Sequence, residues 1–424
     1  MEISSAHSSW SIGNKILFRF FFLFFILFIA VENNGAFPFW WIIFYYPQEW
    51  LHHFVPWVAK NVFHFSYEIT VFTNGSGDTS YDWLLVLIIF IIAILGTFIW
   101  SLLDRDRENY KVLYYWLTVI IRYYVGLMLI NYGLGKIIKL QFPFPDIIRL
   151  QQTYGSSSPM RLAWTFLGFS TGYNLFMGIA ELAAGLLLFR RTMILGAIIT
   201  LMTASNVMAV NYFYDVPVKI VSTALVLMTL FLLAHNAEEV FSFFFKDQPV
   251  KLTMIEPPSL SKRIKLTGTV VKSLLIISTL CFGAYQVMQM QKSTIQVVPP
   301  PLYGEYKVVS FVKGKDNKTL LITDSLRWRE LKIESQHYAN AKTIYDTLDF
   351  SINADTTKNI LFMTQTNGKA IFAFGFTKPD SVHLLLKGVF KNDSLKILLR
   401  GQGSNKFLLM DRGFHWINEY PYNR

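Results

Sequence analysis

Residues 83–103 read WLLVLIIFIIAILGTFIWSLL, from Trp83 to Leu103, without one ionisable side chain, and the next four are Asp104-Arg105-Asp106-Arg107. The hydrocarbon core of a bilayer is crossed by about 20 consecutive apolar residues in a helix, which satisfies its own backbone polar groups. This stretch is therefore a membrane-spanning helix that ends at a charged interface.

Working outward from it, six further apolar runs are found at residues 16–31, 112–132, 173–189, 193–210, 218–234 and 270–288, which predicts seven spans. The first is Phe-rich and has no small-residue cleavage site, the pattern of a retained anchor rather than a signal peptide. Residues 211–217 carry Asp215 and Pro217 between the fifth and sixth spans and predict an antiparallel helix hairpin. Pro299-Pro300-Pro301 follow the seventh span as a stiff, extended spacer.

Composition agrees. Of 424 residues, 53% are hydrophobic and 17% aromatic, and only 16% are charged, against about a quarter in soluble domains. Cys281 is the single cysteine, which excludes an intramolecular disulfide, a CxxC pair and a multi-thiolate cluster within the chain. The net charge of +11 is scattered rather than gathered in a stripe. With no nucleic-acid-binding motif, it points to membrane topology and not to nucleic acid.

Lys15 and Arg19 open the first span, Arg105, Arg107 and Lys111 lie between the second and third, and Arg190-Arg191 between the fourth and fifth. Six further cations from Lys246 to Lys272 precede or open the seventh. All four basic groups fall on one side, so the positive-inside rule predicts a cytoplasmic N-terminus in a bacterial inner membrane and a periplasmic C-terminal region. The loop at 133–161, with Lys136, Lys139, Arg149 and Arg161, is the exception. Residues 37–72 are dense in Trp and Tyr and predict an outer interfacial cap.

After the prolines the pattern changes to short alternating runs at 306–312, 319–323, 360–363, 370–374, 381–386, 395–399 and 406–410, separated by turn sequences at 314–317, 366–368 and 391–393. Period-two runs at this spacing predict an all-β barrel or sandwich of about eight strands. The chain thus divides into N-terminal membrane helices with an aromatic loop (1–111), a four-helix membrane core (112–245), a basic loop with the seventh helix and Pro linker (246–301), and an extracytoplasmic β domain (302–424).

The core resembles the DoxX-like membrane family. The residues carrying the resemblance are Arg122-Tyr-Tyr-Val-Gly126, Asn131-Tyr-Gly133-Leu-Gly135-Lys136, Gly178-Ile-Ala-Glu181-Leu-Ala-Ala-Gly185, Arg190-Arg191 leading into Gly196-Ala197, and Asp215-Val-Pro217. It implies a four-helix bundle and, from relatives described in quinone-linked or other membrane redox complexes, a quinone ligand and a redox partner. The β domain resembles calycin, or lipocalin-like, barrels at Gly304-Glu-Tyr306, with Tyr in place of the usual Trp, and at Arg412.

Arg122 and Glu181 are charges within spans and need partners, since an ionised side chain at the bilayer centre costs about 2.5–3.5 kcal/mol on insertion scales. The expectation pairs them across the third and fourth spans, with Lys136 completing a polar cluster. Two roles stay open: a quinone or headgroup site, or an ion pair that fixes helix register. Asn131, Asn206 and Asp215 are further candidate ligand-binding residues, although the asparagines also suit interhelical hydrogen bonds. His53 and His64 are 11 residues apart with no carboxylate at ligand spacing between them, and together with His52 they predict no metal site. There is no GxSxG, P-loop or GxGxxG signature, and no resident cofactor is evident.

The leading expectation is a membrane protein that binds a quinone or isoprenoid lipid and supports a redox complex. The alternative is a non-catalytic scaffold whose β domain binds an envelope protein or peptide.

Overall fold

The computed structural model describes residues 9–69, 71, 77–146, 149–150, 152–247, 249–296, 302–314, 318–319, 327–334, 337–366, 368, 371–390, 393–401, 407–411 and 415–416. They form two compact units, one of residues 1–144 and 158–290 and one of 145–157 and 291–424.

The first unit is helical. Helix α1 (Ile12–Val31) starts where Ser11 accepts the Asn14 amide hydrogen, the side-chain cap expected of serine at that position. It packs along α3 (Ser80–Leu103), where Gly96 leaves room for the Leu23 side chain, whose Cδ1 would stand 2.8 Å from a Cβ there. A capping box of Thr79 and Asp82 opens α3. Between these helices the aromatic segment contains α2 (Trp40–Asn61), which continues through Pro47 and Pro56 and leaves Trp41, Tyr46, Trp50 and Trp57 exposed.

The middle of the unit is a four-helix arrangement. Helix α4 (Lys111–Ile137) packs against α6 (Thr171–Leu182), and α7 (Met193–Phe213) against α8 (Lys219–Ala234), which returns to α4. A short α5 (Pro159–Phe169) precedes α6, with Ser158 as its cap and Pro159 in its first turn. Before it, Tyr154–Ser156 is a 3-10 turn.

Helix α6 changes at Ala183 into a 3-10 segment (Ala183–Leu188), which breaks the regular i to i−4 ladder and frees carbonyls. Each finds a side-chain donor: Thr192 Oγ1 to Leu186 at 2.8 Å, Arg122 Nε to Leu187 at 2.6 Å, and Lys272 Nζ to Leu188 at 2.9 Å. Helix α9 (Ala237–Phe245) turns 83° from α8, and α10 (Lys262–Gln296) follows, with its residues up to Met290 in this unit. Among the described residues six helices are long and apolar enough to cross a membrane, or up to seven if α8 and α9 count as one bent span. By this measure the chain is a multi-pass membrane protein.

At the end of the bundle where α1 and α4 begin, Arg19 is buried. Its guanidinium donates to Tyr110 (2.9 and 2.6 Å), Ser101 (2.8 Å) and the Asp104 carbonyl (2.8 Å). Tyr110 donates to the Asp104 carboxylate at 2.8 Å and thereby holds that carboxyl below its ordinary range.

The second unit is an antiparallel barrel of strands β1 (Gly304–Lys313), β2 (Lys318–Thr319), β3 (Glu330–Ile333), β4 (Tyr338–Lys342), β5 (Thr347–Asp355), β6 (Ile360–Gln365), β7 (Ile371–Thr377), β8 (His383–Phe390) and β9 (Asp393–Gly401). Neighbours pair in the order β2-β1-β3-β4-β5-β6-β7-β8-β9, and β1 pairs again with β9, from Tyr306 opposite Gly401 to Lys313 opposite Leu395. That second pairing closes eight strands and removes the sheet edges. β2 is a two-residue appendage on the end of β1.

Alternation decides which side chains enter: along β7, Phe372, Phe374 and Phe376 point in while Ile371 and Ala373 point out. Trp328 fills the centre against Phe311, Phe350, Phe372 and Phe374. Tyr306 is buried in the same core and donates to the Leu302 carbonyl, and burial pushes its hydroxyl up to about 12.

The run expected as a strand at 406–410 differs: Leu408–Asp411 is a short helix, α11. Arg412, the Pro299–301 spacer and part of each predicted turn lie outside the described residues.

Candidate ligand cavity

Helices α4 and α6 run antiparallel and nearly in contact. A Cβ on Gly133 would stand 2.7 Å from the Gly178 carbonyl oxygen, and one on Gly178 would stand 2.7 Å from that of Gly133. Further along, Gly126 meets Ala184 and Leu188. With this register Glu181 lies about one turn from the end of α4. Helical side chains lean toward the start of their own helix, so Lys136 and Glu181 lean toward each other across the antiparallel interface. Lys136 Nζ donates to both carboxylate oxygens of Glu181 at 2.7 Å.

The expected Arg122–Glu181 pair is therefore not formed. Arg122 precedes Lys136 by 14 residues on α4, about 21 Å at 1.5 Å per residue, and its partner is the Leu187 carbonyl freed by the 3-10 segment. Lys136, one of the four cations that make the 133–161 loop an exception to the charge pattern, is a buried helical residue neutralised by its pair.

The Lys136–Glu181 pair borders a cavity of about 640 Å³ within the helical unit. The cavity lies where α1, α4 and α7 end and α3 and α8 begin. Trp40, Trp41, Phe44, Trp164, Leu129 and Val207 contribute to its apolar wall. Glu32, Asp82, Asn206 and Asn211 add polar atoms, and His52 from α2 also borders it. A largely apolar hollow with a few convergent polar groups is the usual form of a small-molecule site.

Of the six residues expected to bind a ligand, the structure brings Lys136, Glu181 and Asn206 to this cavity. Arg122 is at the other end of α4. Asn131 donates to the Gly35 carbonyl at 2.7 Å, and exposed Asp215 pairs with Lys219 at 3.1 Å in the turn between α7 and α8. None of these three is among the residues bordering the cavity.

Glu32, Asp78 and Asp82 were not anticipated. Asp82 had a readable signal, since Thr79-Ser-Tyr-Asp82 before an apolar run is a capping-box pattern. Asp78 had none: its carboxylate accepts the amide hydrogens of Lys219 (2.6 Å) and Ile220 (2.9 Å), capping α8 from 141 positions earlier in the chain. Glu32 follows the last residue of α1, and burial together with nearby Asp82 pushes its carboxyl up to about 7. The Glu32 backbone carbonyl accepts the Tyr124 hydroxyl, which ties the end of α1 to α4.

Among the described residues no cluster of three or more His, Cys, Asp or Glu side chains is arranged to hold a metal ion. No family model matches the chain, and no solved structure matches it. Over 122 residues the chain is 38% identical to the uncharacterized protein YwoB of Bacillus subtilis (strain 168), a stretch covering 28% of this chain and 75% of that protein. With that identity and coverage, the chain belongs to the family of YwoB.

Proposed function

We propose that the helical unit binds a quinone or other isoprenoid lipid in the cavity beside Lys136 and Glu181 and supports a membrane redox complex. The observation that carries the reading is a largely apolar hollow of about 640 Å³ with one buried ion pair at its border. Such a hollow suits an amphiphile whose tail meets Trp40, Trp41 and Trp164 and whose head meets the polar side. The four-helix packing of α4, α6, α7 and α8 is consistent with the DoxX-like resemblance, from which the quinone and the redox partner are taken. The proposed placement is a bacterial inner membrane with the N-terminus cytoplasmic and the barrel periplasmic, a sidedness that the basic loops support.

The experiment is a titration of the purified full chain with a short-chain quinone, followed by tryptophan fluorescence. Saturable quenching is expected for the wild type and its loss for Val207→Trp, whose indole fills the hollow. Equal quenching of both proteins would overturn the reading.

A scaffold role for the β domain is favoured by one observation: the barrel interior is filled by Trp328 and the phenylalanines around it. With its core occupied by its own side chains, the barrel acts on a protein or peptide through its outer surface.

A further inference from the structure

We propose that the cavity selects amphiphiles whose head donates hydrogen bonds and carries no negative charge, such as a hydroquinone or an amine, and that Glu32 makes the selection. The inference rests on the ligand-binding reading above and narrows it to a class of headgroup.

The ionisable groups bordering the cavity are not equivalent. Both carboxylate oxygens of Glu181 are held by Lys136, so that pair presents no net charge. His52 is directed at Glu49 on its own helix, 3.5 Å away. Asp82 accepts from the backbone nitrogen (2.8 Å) and hydroxyl (2.7 Å) of Thr79, and it stands at the start of α3, where the helix dipole offsets negative charge.

Glu32 has none of this compensation. It follows the C-terminal end of α1, where the helix carbonyls already present negative potential. Among the described residues its carboxylate accepts one hydrogen bond, from Asn34 Nδ2 at 3.1 Å, and has no ion-pair partner. Among the described residues the titratable groups around it add no cation: Asp78 just before α3, Tyr81 and Asp82 in its first turn, and Tyr124 and Tyr132 on α4. Lys219 of α8 is engaged by Asp78 and Asp215.

An anionic head entering the cavity meets this uncompensated carboxylate and Asp82 beside it. A hydroxyl or ammonium head instead gives Glu32 the donor it lacks. The elevated carboxyl range of Glu32 agrees with that environment, and above pH 7 the charged form does the selecting.

The test is competition binding at pH 8 on the full chain in neutral detergent, read by tryptophan fluorescence. The probes share a ten-carbon tail: decylhydroquinone, decylamine and decyl phosphate. The first two are expected to bind about tenfold or more tighter than decyl phosphate, as like-charge juxtaposition requires. Glu32→Gln, which keeps an acceptor for Asn34 and the carbonyl that holds Tyr124, is expected to shrink that preference to about threefold or less. Decyl phosphate binding as tightly as the other two, or an unchanged preference in Glu32→Gln, would overturn this inference and leave the cavity reading standing. Binding by none of the probes would overturn the cavity reading, and this inference with it.

Discussion

Lys136 Nζ stands 2.7 Å from both carboxylate oxygens of Glu181, with the two side chains only 6% and 4% exposed, so the pair joins α4 to α6 and borders the cavity at once. Removing one partner leaves the other charge buried without compensation. Lys136→Met or Glu181→Leu alone is expected to destabilise the protein by about 3–5 kcal/mol, and the double variant by much less. Thermal midpoints of the four proteins in detergent check this. Equal losses in the single and double variants would show that the pair contributes little through its charge.

The glycine contact beside that pair gives a second expectation. Gly178→Ala places a methyl group 2.6 Å from Ile137 Cγ1 and 2.7 Å from the Gly133 carbonyl oxygen, so α4 and α6 must separate. A cost of about 1–3 kcal/mol is typical of overpacking, and the Lys136–Glu181 geometry shifts with it. Quinone titration beside a melting curve separates the two effects; unchanged stability would mean that the helices are not in contact there.

Asp78 caps α8 from a distant segment, and its carboxylate is nearly buried. Asp78→Ala is expected to cost about 1–2 kcal/mol through the lost cap. Asp215→Asn, at an exposed turn position whose left-handed backbone (φ 52°) asparagine also adopts, is expected to leave the melting midpoint almost unchanged. Equal shifts in the two variants would contradict the capping assignment.

Glu32 sets a pH dependence. Its carboxyl titrates at about 7 in the folded protein against an ordinary value of 4.5, so between those values the folded state binds the extra proton. The resulting stabilisation is complete below pH 4.5 and lost as pH rises through 7, a change of up to about 3 kcal/mol. Melting midpoints from pH 4.5 to 8 should fall with a component that Glu32→Gln removes; superimposable profiles would contradict the burial of this carboxyl.

Trp328 fills the barrel against four phenylalanine rings. Trp328→Ala is expected to cost the β unit about 3–5 kcal/mol. The check is protease resistance of the full chain, with cleavage expected to rise within 302–424 and not in the helical unit. Unchanged resistance would argue that the ring is peripheral.

These features were not equally legible in the sequence. Long uncharged runs such as 83–103 identify spans directly, and the strands whose inward residues are large, such as Phe372 and Phe374 of β7, show clear alternation. β4 hides because its inward residues are only Ala339 and Ala341. α2 hides because Pro47 and Pro56 interrupt its pattern. The charges within spans were visible, but their pairing was not, since it depends on the antiparallel register of α4 and α6 and on where α6 changes to 3-10 geometry at Ala183. That change creates a carbonyl partner for Arg122 and leaves Glu181 to Lys136. A hollow formed by the ends of several helices has no signature in any one of them.

The central claim, that this hollow holds an isoprenoid amphiphile, is tested most directly by mass spectrometry of the organic extract from the full chain purified in mild detergent, beside an unrelated membrane protein and the Val207→Trp variant. The account predicts a quinone or other isoprenoid lipid in stoichiometric amount from the wild type and none above background from the other two. Bulk phospholipid alone from all three would contradict it.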